Sequence, residues 1–146
     1  MPAITRELNV LARCGNQFRS GRLAELHLTA AQSPYILHIC ARPGMSQEQV
    51  AQALHVNPSN ATRQLGALEQ QGYITRETSP QDRRLMALHP TEKALAAVPV
   101  IRGVNQQWHD YLTQGMTDSE LALLEDLLER MRQRAVAWAA GEGVAP

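Results

Sequence analysis

Asn57-Pro58-Ser59-Asn60-Ala61-Thr62-Arg63-Gln64-Leu65-Gly66-Ala67-Leu68-Glu69-Gln70-Gln71-Gly72 is the stretch on which the reading of this chain turns. Asparagine is a favoured N-cap, and proline at the first helical position lacks only an N–H that had no partner, so Asn57-Pro58 opens a helix. Gly72 supplies the left-handed residue that often closes one, giving a helix from Asn57 to Gln71. Ala61, Leu65 and Leu68 recur at i, i+4 and i+7 and form one apolar stripe. The opposite face presents Ser59, Thr62, Arg63 and Gln70, with Gly66 and Ala67 between them. Short polar groups and one forked cation suit the reading of base edges and the holding of phosphates. An interior glycine costs a helix roughly 0.5–1 kcal/mol relative to alanine. Gly66 is therefore either a tolerated surface residue or a point of close approach by a partner.

The flanks give this helix its context. Ser46-Gln47-Glu48-Gln49 is a capping-box pattern, followed by Val50, Ala53 and Leu54 on one face. It predicts a short helix ending near His55, a tight turn, and then the Asn57 helix, which is the spacing of a helix-turn-helix. Beyond Gly72, Tyr73 to Thr78 is rich in β-formers, Ser79-Pro80-Gln81-Asp82 is a turn, and Arg84 to His89 returns as a second strand. A helix-turn-helix followed by a hairpin with arginines at its tip is a winged helix.

These residues resemble the MarR-type transcriptional regulators. Asp82-Arg83-Arg84, followed at the family's spacing by Thr91-Glu92-Lys93, is similar to that family's wing signature. Pro90 stands where the family often has Leu, and Ala94 where it often has Gly. Leu28-Thr29 with Gln32 resembles the start of the family's second helix, and Leu68-Glu69-Gln70-Gln71-Gly72-Tyr73-Ile74 the exit from its recognition helix. The resemblance spans nearly the whole chain and is most specific from Thr29 to Lys93. It implies a homodimer on a roughly palindromic duplex, with a wing arginine braced by Asp82; Arg84 fits that pattern best and Arg83 is the second candidate. Ser46 and Asn60 complete the candidate DNA contacts. The resemblance also implies a pocket for a small aromatic or phenolic effector, for which Phe18, Tyr35, His38, Trp108 and Tyr111 are the candidate lining.

Two further stripes lie toward the ends. From Ile4 to about Leu26 the sequence predicts a first helix with Ile4, Leu8, Leu11, Gly15 and Phe18 at spacings of four and three. Thr117-Asp118-Ser119-Glu120 is another capping box, followed by Leu121, Leu124, Leu128, Met131, Ala135 and Trp138. Such narrow seams either cover the core or form a dimer interface, and the second reading is favoured because they exceed what a small winged helix needs. Thr29 to about Ala41 is the second helix, with Thr29-x-x-Gln32 as its capping box and Pro34 in its first turn or slightly beyond, where it is tolerated with at most a small bend. Thr91 to about Gln114 is the fifth, kinked at Pro99.

The expected organisation is therefore an N-terminal dimerisation helix (1–28), a winged helix-turn-helix (29–90), C-terminal dimerisation helices (91–140) and a flexible tail (141–146). The fold class is mainly α with a small β-hairpin wing. A length of 146 residues is enough to bury a core. Net charge is zero, yet residues 1–90 hold nine arginines against six carboxylates, and residues 91–146 five cations against eight. The half carrying the winged helix is thus the basic one. No apolar run reaches the length of a membrane span and the N-terminus lacks the shape of a signal peptide, so no membrane partner and a cytoplasmic location are expected.

Catalytic signatures are absent: there is no phosphate-binding Gly-rich loop, Gly-x-Ser-x-Gly elbow, His-Glu-x-x-His or Cys-x-x-Cys. No enzyme, cofactor or metal site is expected. His38 and His109 are the histidines best placed to meet, but a metal needs three or four ligands. Cys14 and Cys40 match no sensing motif and read as buried, inert thiols. The sequence thus points to a DNA-binding transcriptional regulator, a ligand-responsive repressor by resemblance. The alternative is a winged helix used for protein–protein contact, which an apolar recognition face and a charge-free wing tip would have favoured.

Overall fold

Three reciprocal side-chain-to-backbone exchanges shape the chain locally, two of them at helix starts. Ser46 Oγ accepts the Gln49 N–H while Gln49 Oε1 accepts the Ser46 N–H. Thr117 and Glu120 repeat that exchange, and so do Thr29 and Gln32. In a computed structural model that describes residues 2–143, the helices are α1 (Ala3–Arg22), α2 (Ser33–Ala41), α3 (Gln47–Leu54), α4 (Pro58–Gln70), α5 (Glu92–Leu112) and α6 (Asp118–Ala139). The strands are β1 (Met45–Ser46), β2 (Ile74–Thr78) and β3 (Met86–Pro90), in an antiparallel sheet of order β1-β3-β2. The fold is the expected one, mainly helical with a small β-wing.

The chain divides into two compact units, one through Trp108 and the other from His109. The core of the first unit draws Leu23 and Leu28, Tyr35, Ile36 and Ile39 of α2, Val50 of α3, Ala61, Leu65 and Leu68 of α4, Leu88 of β3 and Ile101 of α5 into one cluster. The apolar stripe of α4 is therefore its buried face, as the spacing requires, and the polar face lies outside. In the second unit α6 has no buried residue. Its seam leaves Leu124 38%, Leu128 42% and Met131 39% exposed, with Leu121 half-buried. On α1 the same holds for Ile4, Leu8 and Leu11, whereas Gly15 is buried.

Several boundaries differ from expectation. The first helix ends at Arg22, not Leu26: a 3₁₀ turn over Ala24–Leu26 follows, and His27 adopts a left-handed conformation (φ 55°) that turns the chain. The Thr29–Gln32 box closes a turn, and α2 starts after it at Ser33. Pro34 then lies in the first helical turn, where no helical hydrogen bond is lost. β1 was not foreseen: two residues pair with Leu88 and Ala87, a pairing no local pattern announces. α5, by contrast, continues through Pro99 as one helix, as expected. Gly141 to Gly143 fold back on the end of α6, the Glu142 and Gly143 N–H groups reaching the Ala137 carbonyl. The rest of the expected tail, 144–146, lies outside the described residues. Among the described residues no helix is long and apolar enough to cross a membrane.

Candidate nucleic-acid interface

The recognition helix is built from its caps inward. Asn57 Oδ1 accepts the Asn60 N–H at 2.7 Å, and left-handed His55 (φ 54°) makes the turn from α3. At the other end Gly72 takes φ 79°, and the Tyr73 N–H returns to the Leu68 carbonyl. Side chains from elsewhere then grip this exit. Tyr73 donates its hydroxyl to the Leu26 carbonyl at 2.6 Å, and Gln71 Nε2 donates to that of His27 at 3.0 Å. From the far side Thr91 donates to the Gly72 carbonyl at 2.7 Å, while Lys93 Nζ donates to that of Gln71 at 2.7 Å and lies over the Tyr73 ring. The Thr91-Glu92-Lys93 run thus has a structural role, satisfying carbonyls that a helix end leaves open.

Ser59, Thr62, Arg63 and Gln70 lie on the exposed face of α4. A side chain at Gly66 would meet nothing within 4 Å, so no neighbour in the fold requires that glycine. Three candidate contacts are engaged inside the molecule. Asn60 is half-buried and its Oδ1 accepts the Tyr35 hydroxyl at 2.6 Å. Thr62 Oγ1 accepts from Gln47 Nε2 at 2.6 Å and donates to the Pro58 carbonyl at 3.0 Å. Ser46 caps α3, leaving its hydroxyl proton available. Gln47 and Arg76, which hold Thr62 in place, were missed by the sequence reading. Nothing in the spacing of a strand arginine and a cap-adjacent glutamine announces their meeting.

At the wing, Asp82 and Arg84 form a clamp. The carboxylate accepts the Arg84 backbone N–H at 3.0 Å, Nε at 3.1 Å and Nη2 at 3.1 Å. Arg84 therefore belongs to the turn, and the second strand starts two residues later than expected. The guanidinium is held along its Nε–Nη2 edge while its side chain stays 89% exposed. Arg83 beside it is exposed too. These bonds hold the Asp82 carboxyl below its ordinary range, first through the Arg84 side chain and then through its N–H. A depressed carboxylate contributes above its unfolded pKa, about 3.9, and is lost as pH falls through the lower folded value. The clamp is thus complete at neutral pH and opens only in acid. Asp82→Asn is expected to weaken duplex binding several-fold at neutral pH, because Arg84 loses its charged brace. Titration of labelled DNA checks this, and unchanged binding would contradict a role for the clamp.

The aromatic candidates do not gather around one cavity. Phe18 and Trp108 stack on each other, ring centres 5.1 Å apart, with Arg22 over Phe18. Trp108 also fills the space beside Gly15, where a side chain would come within 3.1 Å of its Nε1. His38 is half-buried with Nε2 lacking a partner among the described residues, and Tyr111 is 70% exposed in the other unit. Only Tyr35 of the set lines the groove of about 450 Å³ between α1, α2 and α4, where it meets Asn16, Arg19, Pro34, Asn60 and Asn105. Burial pushes the Tyr35 phenol up, partly offset by the positive charge of Arg63. Among the described residues no three His, Cys, Asp or Glu side chains gather as a metal site would need.

Comparison with known proteins agrees with this geometry. The sequence model of the MarR family matches residues 27–85. The chain is 30% identical over 133 residues to the HTH-type transcriptional regulator YybA of Bacillus subtilis (strain 168), covering 91% of this chain and 89% of that protein. The crystal structure of the transcriptional regulator SlyA superposes with a TM-score of 0.90 at 30% identity, over 95% of this chain and 98% of that one. A MarR family regulator from Listeria monocytogenes, crystallised with a 26-mer DNA, superposes with a TM-score of 0.88 at 25% identity, over 100% and 99% of the two chains. The winged helix, its clamped wing and these likenesses together place the chain in the MarR family of transcriptional regulators.

Proposed function

We propose that this regulator binds a roughly palindromic DNA operator as a homodimer, acts there as a repressor, and releases it on binding a small aromatic or phenolic acid. The observation that carries the reading is the pairing of an exposed, partly polar face on α4, led by Arg63, with a wing whose exposed Arg84 is braced by Asp82 along its Nε–Nη2 edge. Each α4 enters a major groove and each wing an adjacent minor groove. The two-fold axis then sets half-sites about one helical turn apart. The exposed seams on α1 and α6 form the two-fold interface. The effector sits in the groove beside Tyr35, whose volume suits a small molecule and whose wall offers Arg19 as a counter-charge. It acts by changing the separation of the two winged helices, so that they no longer match successive grooves. Such a protein works in the cytoplasm, with its DNA.

A gel shift on duplex DNA tests the reading: retardation that weakens steeply with salt is expected, because phosphate contacts release counterions. A protein that shifts no duplex at low salt would instead be a winged helix used for protein contact.

Peroxide is not the proposed signal. Cys14, expected to be buried, is exposed, and Cys40 is half-buried; burial pushes the Cys40 thiol up, away from the reactive thiolate. Cys14 and Cys40 replaced together by Ser should therefore leave DNA binding under peroxide no different from wild type, measured by the same gel shift. A wild type that lets go on oxidation, and a double variant that does not, would overturn this.

A further inference from the structure

Beside the reading face runs a chain of hydrogen bonds that joins three elements. Arg76 of β2 donates from Nη1 to Gln47 Oε1 at 2.9 Å, and its Nε lies 3.4 Å from Glu69 Oε2 in the second half of α4. Gln47, the first residue of α3, donates from Nε2 to Thr62 Oγ1 in the first half of α4. Thr62 in turn donates its hydroxyl to the Pro58 carbonyl. The Arg76 side chain is 24% exposed, so the junction lies partly inside the fold. A guanidinium presents its donors in a rigid fork, and so can hold two acceptors at a set angle. A primary amide both accepts and donates. It can therefore relay from a cation, which only donates, to a hydroxyl whose proton is already in use.

We propose that Gln47 is a specificity-determining positioning residue. By bridging Arg76 to Thr62 it sets the rotation of the recognition helix against the wing, and with it the aim of Arg63, the next residue along. Thr62 has no proton left to donate to a base, since its hydroxyl is committed to the Pro58 carbonyl, and one of its two acceptor positions is taken by Gln47. This inference rests on the DNA reading above. A rotation of the helix matters most for side chains that must meet base edges in register, whereas contacts to phosphate are orienting and sequence-blind. Disturbing Gln47 should thus erode discrimination between sequences while leaving general attraction to DNA intact.

The test uses the full chain, with two probes of equal length: a duplex selected by the wild type from a random pool, and a random-sequence duplex. Gln47→Met preserves length and charge and removes both hydrogen bonds. It should lower the selected-to-random affinity ratio by about ten-fold, the scale of one net hydrogen bond. Affinity for random duplex should stay within about two-fold, because no charge has changed. Thr62→Val should lower the ratio similarly, and the double variant should be no worse than either single one, since the two residues act as a unit. Thr62→Val, at an exposed position, carries the test alone if Gln47→Met melts early. An unchanged ratio, an equal fall on both probes, or single effects that add would each overturn the proposal. A wild type that prefers no duplex over random DNA would overturn the DNA reading, and this inference with it.

Discussion

Leu124→Asp combined with Leu128→Asp is expected to halve the particle mass in solution and to weaken operator binding by a factor of roughly 10²–10⁴. The two positions are four apart on α6 and so share one face. Their leucines are 38% and 42% exposed on a helix without a buried residue, so neither change removes a side chain from the core. If this seam meets its copy across a two-fold axis, the substitutions place two unpaired carboxylates from each subunit in one apolar interface, where desolvation costs several kcal/mol per ion. Truncation of Leu128 alone to Ala should destabilise a well-packed interface by about 2–5 kcal/mol. The loss of affinity is expected although α6 carries none of the residues proposed to meet DNA: a single subunit would place one recognition helix, and forgo the advantage of holding two at once. Light scattering and a gel shift on the same samples measure both effects. A doubly substituted protein that stayed dimeric, or a folded monomer with wild-type affinity, would contradict this use of the terminal helices.

Arg63→Ala is expected to produce the next largest loss. Arg63 is exposed on α4 and its removal leaves the buried stripe of Ala61, Leu65 and Leu68 untouched. A bidentate arginine–guanine pair is worth about 1–3 kcal/mol of discrimination. The variant should therefore bind more weakly and relax its preference at one position of each half-site. Arg84→Ala should differ in kind, making the slope of log K against log salt shallower by about one for each phosphate that Arg84 neutralises. Binding isotherms at several salt concentrations separate the two. Wild-type behaviour by both variants would mean that α4 and the wing face something other than DNA.

Where the sequence reading succeeded, the deciding interactions were local. The caps at Ser46, Asn57 and Thr117 each reach only three residues along the chain, and Gly72 ends α4 through its own backbone conformation. The burial of Leu65 and Leu68 follows from helical period alone. The failures share the opposite property. β1 exists only because β3 lies beside it. Asn60 and Thr62 have the composition of a reading face, and no local pattern announces that their oxygens also accept from Tyr35 and Gln47, 25 and 15 residues away. Arg84 was placed in a strand because β-periodicity does not register a carboxylate two residues back that folds the arginine into a turn. The aromatic candidates were gathered by residue type, and type says nothing about whether Phe18 and Trp108 face a cavity or each other.

Polarity on the exposed side of a helix is thus not the same as availability. Arg63 and Ser59 are exposed, Asn60 is tied to the wall of the groove, and Thr62 is tied through Gln47 to the wing strand. The Tyr35–Asn60 bond also joins the groove to the first turn of the recognition helix. A ligand that displaced the Tyr35 hydroxyl would therefore act within one turn of the residues proposed to meet DNA.

Selection of bound duplexes from a random pool by the full-length protein tests the central claim most directly, since one sequence logo reports DNA binding, symmetry and spacing together. The account predicts enrichment of an inverted repeat with half-site centres about 10–10.5 base pairs apart, the separation of two recognition helices on one face of the duplex. No enrichment over the starting pool, or enrichment of a single half-site without a symmetric mate, would contradict it.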